Sequence, residues 1–241
     1  MATALKIPQA LLEMRRNFFF THPLLKAASD DVVTLSGTAA VLAERAGGLS
    51  LTTAASDNNL VYAASNGTIA ELTVDRPLYA GFHFRYAEAN TNAANVFVGL
   101  FSTTLSTVLG DNGAGIPSNF SGVGLYKMDG GTANWTAFVS NATAQTKVEL
   151  TSANSTDKTA HAAATASTVN QFVEIEIVPK TSTKANVYIS IDGKVVQVFT
   201  DWVWTSLAAM YLVVACKSGS ATAEVLKVKR IDFAQVNELK V

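Results

Sequence analysis

The stretch Val173-Glu174-Ile175-Glu176-Ile177, followed by Val187-Tyr188-Ile189-Ser190-Ile191-Asp192-Gly193-Lys194-Val195-Val196-Gln197-Val198, decides the fold class. In each run apolar and polar residues alternate with period two, which marks a strand with one face buried. Asp192-Gly193 joins the last two runs, and both residues tolerate the positive φ that a tight hairpin demands. Working outward, Leu78, Ala80, Phe82, Phe84 and Tyr86 alternate with Tyr79, Gly81, His83 and Arg85. Val96 to Phe101 and Met210 to Val214 are apolar on both faces and read as central strands. Val225 to Phe233 changes phase: Leu226 and Val228 share one face, Ile231 and Phe233 the other. A β-bulge near Arg230 accounts for the shift. Around a dozen strands separated by Gly-, Asn-, Ser- and Thr-rich loops predict two packed antiparallel sheets, an all-β sandwich over residues 30–241.

Residues 1–29 read differently. Gln9 to Phe20 carries strong helix formers behind Pro8, and Leu11, Leu12, Arg15, Phe18 and Phe19 fall at helical spacing. Pro23 ends the pattern. Phe18, Phe19 and Phe20 cannot all face one small core. The segment is expected to be a short helical arm that either caps the open end of the sandwich or docks on another subunit.

Composition narrows the function classes. Of 241 residues, 49% are hydrophobic and only 15% charged, against roughly 25% charged in ordinary domains. A surface of Ala, Thr, Ser and Asn suits packing against neighbouring subunits. With a net charge of −1 there is no electrostatic footprint for nucleic acid or an anionic membrane. The lone Cys216 lies in an apolar run and excludes an internal disulfide framework. Met1 to Pro8 lacks the apolar core of a signal peptide, so synthesis and folding in a cytosol are expected.

Candidate chemistry is sparse. Glu174 and Glu176 lie two apart on one strand face, about 6.5–7 Å between Cα atoms, close to the spacing of a glycosidase pair. Equally, they are the polar positions of a solvent-facing strand, with Lys227 and Lys229 as partners across the sheet. His22, His83 and His161 are too scattered for a metal site or a triad. Asp111-Asn112-Gly113 has the start of a calcium loop without its later ligands, and reads as a turn. No cofactor is expected. Trp135, Trp202 and Trp204, with Tyr126, could form glycan-binding platforms, Trp202 and Trp204 on one face of an extended segment. They could equally be core.

One region carries a resemblance. The order Val96-Phe97-Val98-Gly99-Leu100, Asp111-Asn112-Gly113-Ala114-Gly115-Ile116-Pro117, Gly122 to Gly131, Trp135, Val173 to Ile177, Val187 to Lys194 and Arg230-Ile231-Asp232-Phe233 resembles the concanavalin A-like jelly-roll superfamily across residues 30–235. More narrowly, it is similar to virion structural proteins of tailed bacteriophages. The resemblance implies a non-enzymatic capsid decoration or cement protein on the head surface of a virion. Its implied partners are capsid proteins and copies of itself, a trimer being one arrangement, with the arm residues Leu11, Leu12, Arg15, Phe18, Phe19 and Phe20 as the contact. The alternative it implies is a lectin-like carbohydrate-binding module. Glucanases of the superfamily carry a Glu-x-Asp-x-x-Glu strand. The nearest segment here, Glu174 to Pro179, has the wrong second acid and no third, which argues against a hydrolase.

Overall fold

The structure is a computed structural model that describes residues 33–36, 49–65, 68, 70, 72, 76–89, 93–165, 169–204 and 209–235. The helical arm expected over residues 1–29 lies outside the described residues. The strands run in chain order β1 (Val33–Ser36), β2 (Leu49–Thr52), β3 (Leu60–Ser65), β4 (Leu78–Ala87), β5 (Ala94–Phe101), β6 (Ser121–Lys127) and β7 (Thr136–Asn141). Then follow β8 (Gln145–Glu149), β9 (Gln171–Thr181), β10 (Lys184–Ile191), β11 (Lys194–Val203), β12 (Tyr211–Ser218) and β13 (Val225–Gln235). They form a seven-stranded sheet, β1-β3-β12-β5-β6-β7-β8, and a six-stranded sheet, β11-β10-β9-β4-β13-β2, all pairs antiparallel. This is the two-sheet antiparallel sandwich that the alternation predicts.

The local signals act as expected. Asp192 and Gly193 both take positive φ, 50° and 78°, and close a two-residue hairpin between Ile191 and Lys194. The Asp192 carboxylate also accepts the Phe172 N–H at 2.8 Å, tying the hairpin to β9. The register of β13 on β4 slips between Val228 and Arg230. The bulge lets Leu226 and Val228 on one side of it, and Ile231 and Phe233 on the other, all meet the core.

Two apolar layers result. Between the sheets, Phe82, Phe84 and Tyr86 of β4 and Val173, Ile175 and Ile177 of β9 meet Val96, Val98 and Leu100 of β5. Trp135 fills the same layer, edge-on to Phe84, and its indole N–H donates to Gln171 Oε1 at 3.0 Å. The second layer lies on the outer face of the seven-stranded sheet. The segment 102–120 folds back over that face and places Val108, Leu109, Ile116 and Phe120 on Phe97, Phe101, Tyr126 and Phe138. This explains why β5 and β12 are apolar on both faces. Gly99 and Gly124, paired across β5 and β6, permit the close fit: a Cβ on either would lie 2.3 Å from a backbone carbonyl oxygen of the neighbouring strand.

Candidate functional site at the loop end of the sandwich

Beneath one end of the sandwich lies a buried polar network. Lys127, fully buried, reaches Glu88 Oε1 at 2.7 Å and donates to the Ala94 carbonyl at 3.1 Å. Glu224, also fully buried, accepts the Tyr86 hydroxyl at 3.1 Å and the Ala89 N–H at 3.0 Å. Burial, then Cys216 and the carboxylates of Glu224 and Glu88, raise the Tyr86 hydroxyl far above its ordinary range. The Cys216 thiol is likewise pushed well up by burial first and then by Glu224 and Glu88, against the opposing charge of Lys127. A thiol in that state is inert. The cluster works as a foundation: charges inside a sandwich persist when paired and hydrogen-bonded.

The loops above it are tied to this network and to one another. In the β2–β3 loop, the Ser218 hydroxyl donates to the Ser56 carbonyl at 2.5 Å, and the Asn58 N–H donates to the Ser218 carbonyl at 2.8 Å. In the β5–β6 segment, the Lys217 ammonium donates to the Leu109 carbonyl at 3.0 Å and pairs with Asp111. In the β6–β7 loop, the Asp129 N–H donates to Asn95 Oδ1 at 3.0 Å. Gly219, after β12, donates its N–H to the Ala93 carbonyl at 2.7 Å.

Two asparagines lock the ends of two of these loops. The Asn112 N–H donates to Asn58 Oδ1 at 2.9 Å, and Asn58 Nδ2 donates to Asn112 Oδ1 at 3.2 Å. Both hold positive φ, 60° for Asn58 and 51° for Asn112, a conformation asparagine tolerates better than most residues. Gly113 and Gly219 crowd Asp129. A Cβ on Gly113 would lie 2.4 Å from the Asp129 carbonyl oxygen, and one on Gly219 would lie 2.2 Å from the Asp129 carboxyl carbon. The result is a rigid rim with Asp57, Asp111, Asn112 and Gly130 exposed and Asp129 half-exposed between them. Carboxylates accept hydroxyl protons, amides both donate and accept, and glycine admits a ligand close to backbone. Because the rim is held in place before any ligand arrives, binding there costs little ordering.

The residues singled out in the sequence are not at this rim, apart from Asp111-Asn112-Gly113. Trp135 is fully buried, and Trp202 and Trp204 are each 7% exposed in the inter-sheet layer. Tyr126 is buried in the outer aromatic layer. None of the four offers a ring face to a glycan; the alternation that put Trp202 and Trp204 on one face put them on the inner face. The arm residues Leu11, Leu12, Arg15, Phe18, Phe19 and Phe20 lie outside the described residues. Glu174 and Glu176 do share the outer face of the six-stranded sheet, half-buried. Lys227 and Lys229 are not opposite them, because β4 lies between β9 and β13; Gly81 and Asp232 occupy the Glu174 register instead. His83 sits edge-on to Phe172, its pKa lowered by burial and then by the charges of Lys229 and Arg230. His161 pairs with Asp157 at 3.0 Å, far from His83 in the chain. Among the described residues no three His, Cys, Asp or Glu side chains gather as metal ligands, and no helix is long and apolar enough to cross a membrane. The interloop pairing of Asn58 and Asn112, 54 residues apart, had no local signal beyond the turn composition around each.

Solved structures share the fold. The chain is similar to the carbohydrate recognition domain of Emp47p, with a TM-score of 0.58 and 15% identity over 91% of this chain and 95% of that one. It is similar to an endo-1,3-beta-glucanase from Streptomyces sioyaensis, with a TM-score of 0.53 and 9% identity over 78% and 75%. A protein of unknown function from Shewanella oneidensis MR-1 matches 100% of this chain and 99% of its own, with a TM-score of 0.55 and 16% identity. The two-sheet antiparallel sandwich is therefore a fold this chain shares with a carbohydrate recognition domain, a glucanase and a protein of unknown function alike. No protein-family model matches the chain, and no curated protein matches it in sequence.

Proposed function

We infer that the protein is a non-enzymatic, lectin-like module that binds glycan at the loop end of the sandwich. The observation that carries this reading is the rim locked by the reciprocal Asn58–Asn112 pair, with Asp57, Asp111 and Asp129 beside it. Hydroxyl-rich ligands need such a fixed array of acceptors and amides. A fold shared with a carbohydrate recognition domain supports the same direction; fold alone does not decide it. Against a hydrolase stands the incomplete acid motif at Glu174 to Pro179. A glycan array followed by calorimetry tests the reading. Asn112→Gly removes the amide while keeping the left-handed backbone accessible, and Asp57→Ala removes an exposed carboxylate. Each is expected to weaken binding about tenfold, about 1.4 kcal/mol, with circular dichroism unchanged. An array on which the folded protein retains no glycan rejects the reading, as does binding indifferent to both changes.

A second reading places the module on a bacteriophage particle as a capsid decoration protein. It rests on the resemblance of residues 30–235 to virion proteins and on the low charged fraction of the chain, 15%. Partners would then be capsid subunits and copies of the chain. Mass spectrometry of particles purified from the source phage is expected to find the protein at a copy number comparable with the shell; its absence there removes this reading and leaves the glycan site standing.

A further inference from the structure

One carboxylate of the loop-end rim is fixed in place and yet, among the described residues, unpaired. The Asp129 N–H is held by Asn95 Oδ1 at 3.0 Å. A Cβ on Gly113 would come within 2.4 Å of the Asp129 carbonyl oxygen, and one on Gly219 within 2.2 Å of its carboxyl carbon. Two side-chain-free points of neighbouring loops therefore press on Asp129, one on its backbone and one on its side chain. Its half-exposed carboxylate takes no hydrogen bond and no cation among the described residues. The ammonium of Lys217, at the end of the adjoining β12, is spent on Asp111 and the Leu109 carbonyl. Asp57, exposed on the same rim, has only the Asn58 amide, at 3.1 Å.

Charge decides what such a rim accepts. Of its carboxylates only that of Asp111 meets a cation; those of Asp57 and Asp129 do not. A uronate or sulfated sugar would bring like charge against them. A neutral sugar can satisfy Asp129 with hydroxyls but leaves its charge uncompensated. An ammonium group does both, and charge-assisted hydrogen bonds are about twice as strong as neutral ones. Groups suited to the rest of a sugar stand alongside. Asn112 Nδ2 makes no hydrogen bond among the described residues, since the pair with Asn58 uses its N–H and Oδ1. Gly130, next to Asp129, holds φ of 66° with nothing within 4 Å of a would-be Cβ, so there is room beside the carboxylate. Beneath the loop, Asn95 is fully buried and spends Oδ1 on the Asp129 N–H, which sets its amide against that loop, while Nδ2 has no acceptor. A buried donor calls for an oxygen. Sugar hydroxyls supply oxygens around an ammonium group; the alkyl ammonium of a lysine side chain supplies none.

We propose that the loop end takes a cationic glycan, one built of amino sugars with unacetylated amines, whose ammonium group sits on Asp129 and whose hydroxyls meet Asn112 and Asp57. The inference rests on the lectin-like reading above and narrows it to a ligand class. Because the discriminating contact is an ion pair at a half-exposed site, added salt weakens it.

The test is calorimetry on the full chain at mildly acidic pH, where glucosamine amines carry a proton. It compares tetramers of glucosamine, N-acetylglucosamine and glucuronic acid, alike in linkage, with tetralysine as a charge control. The glucosamine tetramer is expected to bind about tenfold more tightly than the N-acetylated one, with the glucuronate weakest. In Asp129→Asn, with circular dichroism unchanged, that ratio is expected to fall below about threefold. Raising salt from about 0.05 M to about 0.5 M is expected to erase most of the preference in the native protein, a readout that needs no variant. An N-acetylated or glucuronate tetramer bound as tightly as the glucosamine tetramer overturns the proposal and leaves the lectin-like reading standing. A preference untouched by Asp129→Asn or by salt overturns it too, as does tetralysine bound as tightly as the amino sugar. A glucosamine tetramer that does not bind at all also rejects it; only a glycan array that is blank as well removes the lectin-like reading with it.

Discussion

Lys127 illustrates how one side chain can hold the loop end in place. Its ammonium is enclosed, and its partner Glu88 is only 9% exposed, so removing the cation leaves a carboxylate with little water to turn to. Lys127→Ala is expected to destabilise the protein by about 3–5 kcal/mol, read as a lower urea midpoint at neutral pH. Replacing both partners, as Lys127→Met/Glu88→Gln, should restore most of that loss, since the cost lies in the orphaned charge rather than in the missing attraction. If the double variant is as unstable as the single one, the pair is not what Lys127 serves. Cys216 nearby was legible as a buried thiol from its apolar run. Its carboxylate neighbours Glu88 and Glu224 were not, because they come from loops 128 and 8 residues away in the chain.

At the level of strands and turns, two glycines separate two causes of strain. Gly193 holds φ of 78° with nothing within 4 Å of a would-be Cβ, so Gly193→Ala tests backbone conformation alone and is expected to cost about 1–2 kcal/mol. Gly124 has no such requirement, but its Cβ would lie 2.3 Å from the Val98 carbonyl oxygen. Gly124→Ala must therefore push β5 and β6 apart beneath the aromatic layer, and is expected to cost more than Gly193→Ala, by about 1–3 kcal/mol. Chemical denaturation of the two variants decides the order; equal losses would mean that the layer over β5 and β6 yields easily. The Asp192-Gly193 hairpin was readable because its signal is local. So was the bulge in β13, where the phase of the apolar residues shifts between Val228 and Ile231. The pairing of β4 between β9 and β13 was not, and that error set Lys227 and Lys229 opposite Glu174 and Glu176.

For the molecule as a whole, the seven-stranded sheet is shared by both apolar layers, so neither can melt while the other remains packed. Urea unfolding followed by tryptophan emission and by far-ultraviolet circular dichroism is expected to give one coincident transition. All three tryptophans are buried, so native emission should be that of water-excluded indole and should not move when glycan binds at the loop end. A ligand-induced shift would place the binding surface near β11 or Trp135 instead of at the Asn58–Asn112 rim.

Alternation, turn chemistry and phase shifts determined much from sequence alone: strands β4, β5 and β9 to β13, the hairpin, the bulge and the all-β sandwich. Each depends on residues a few positions apart, where period two and positive φ act directly. Tertiary structure decided which face of each strand was inner, and so sent Trp202 and Trp204 into the core. It also decided that segment 102–120 would cover one sheet, and that Asn58, Asn112, Asp129 and Lys217 would meet at one end. Those outcomes depend on strand order and close packing between segments far apart in the chain, and no local pattern encodes them.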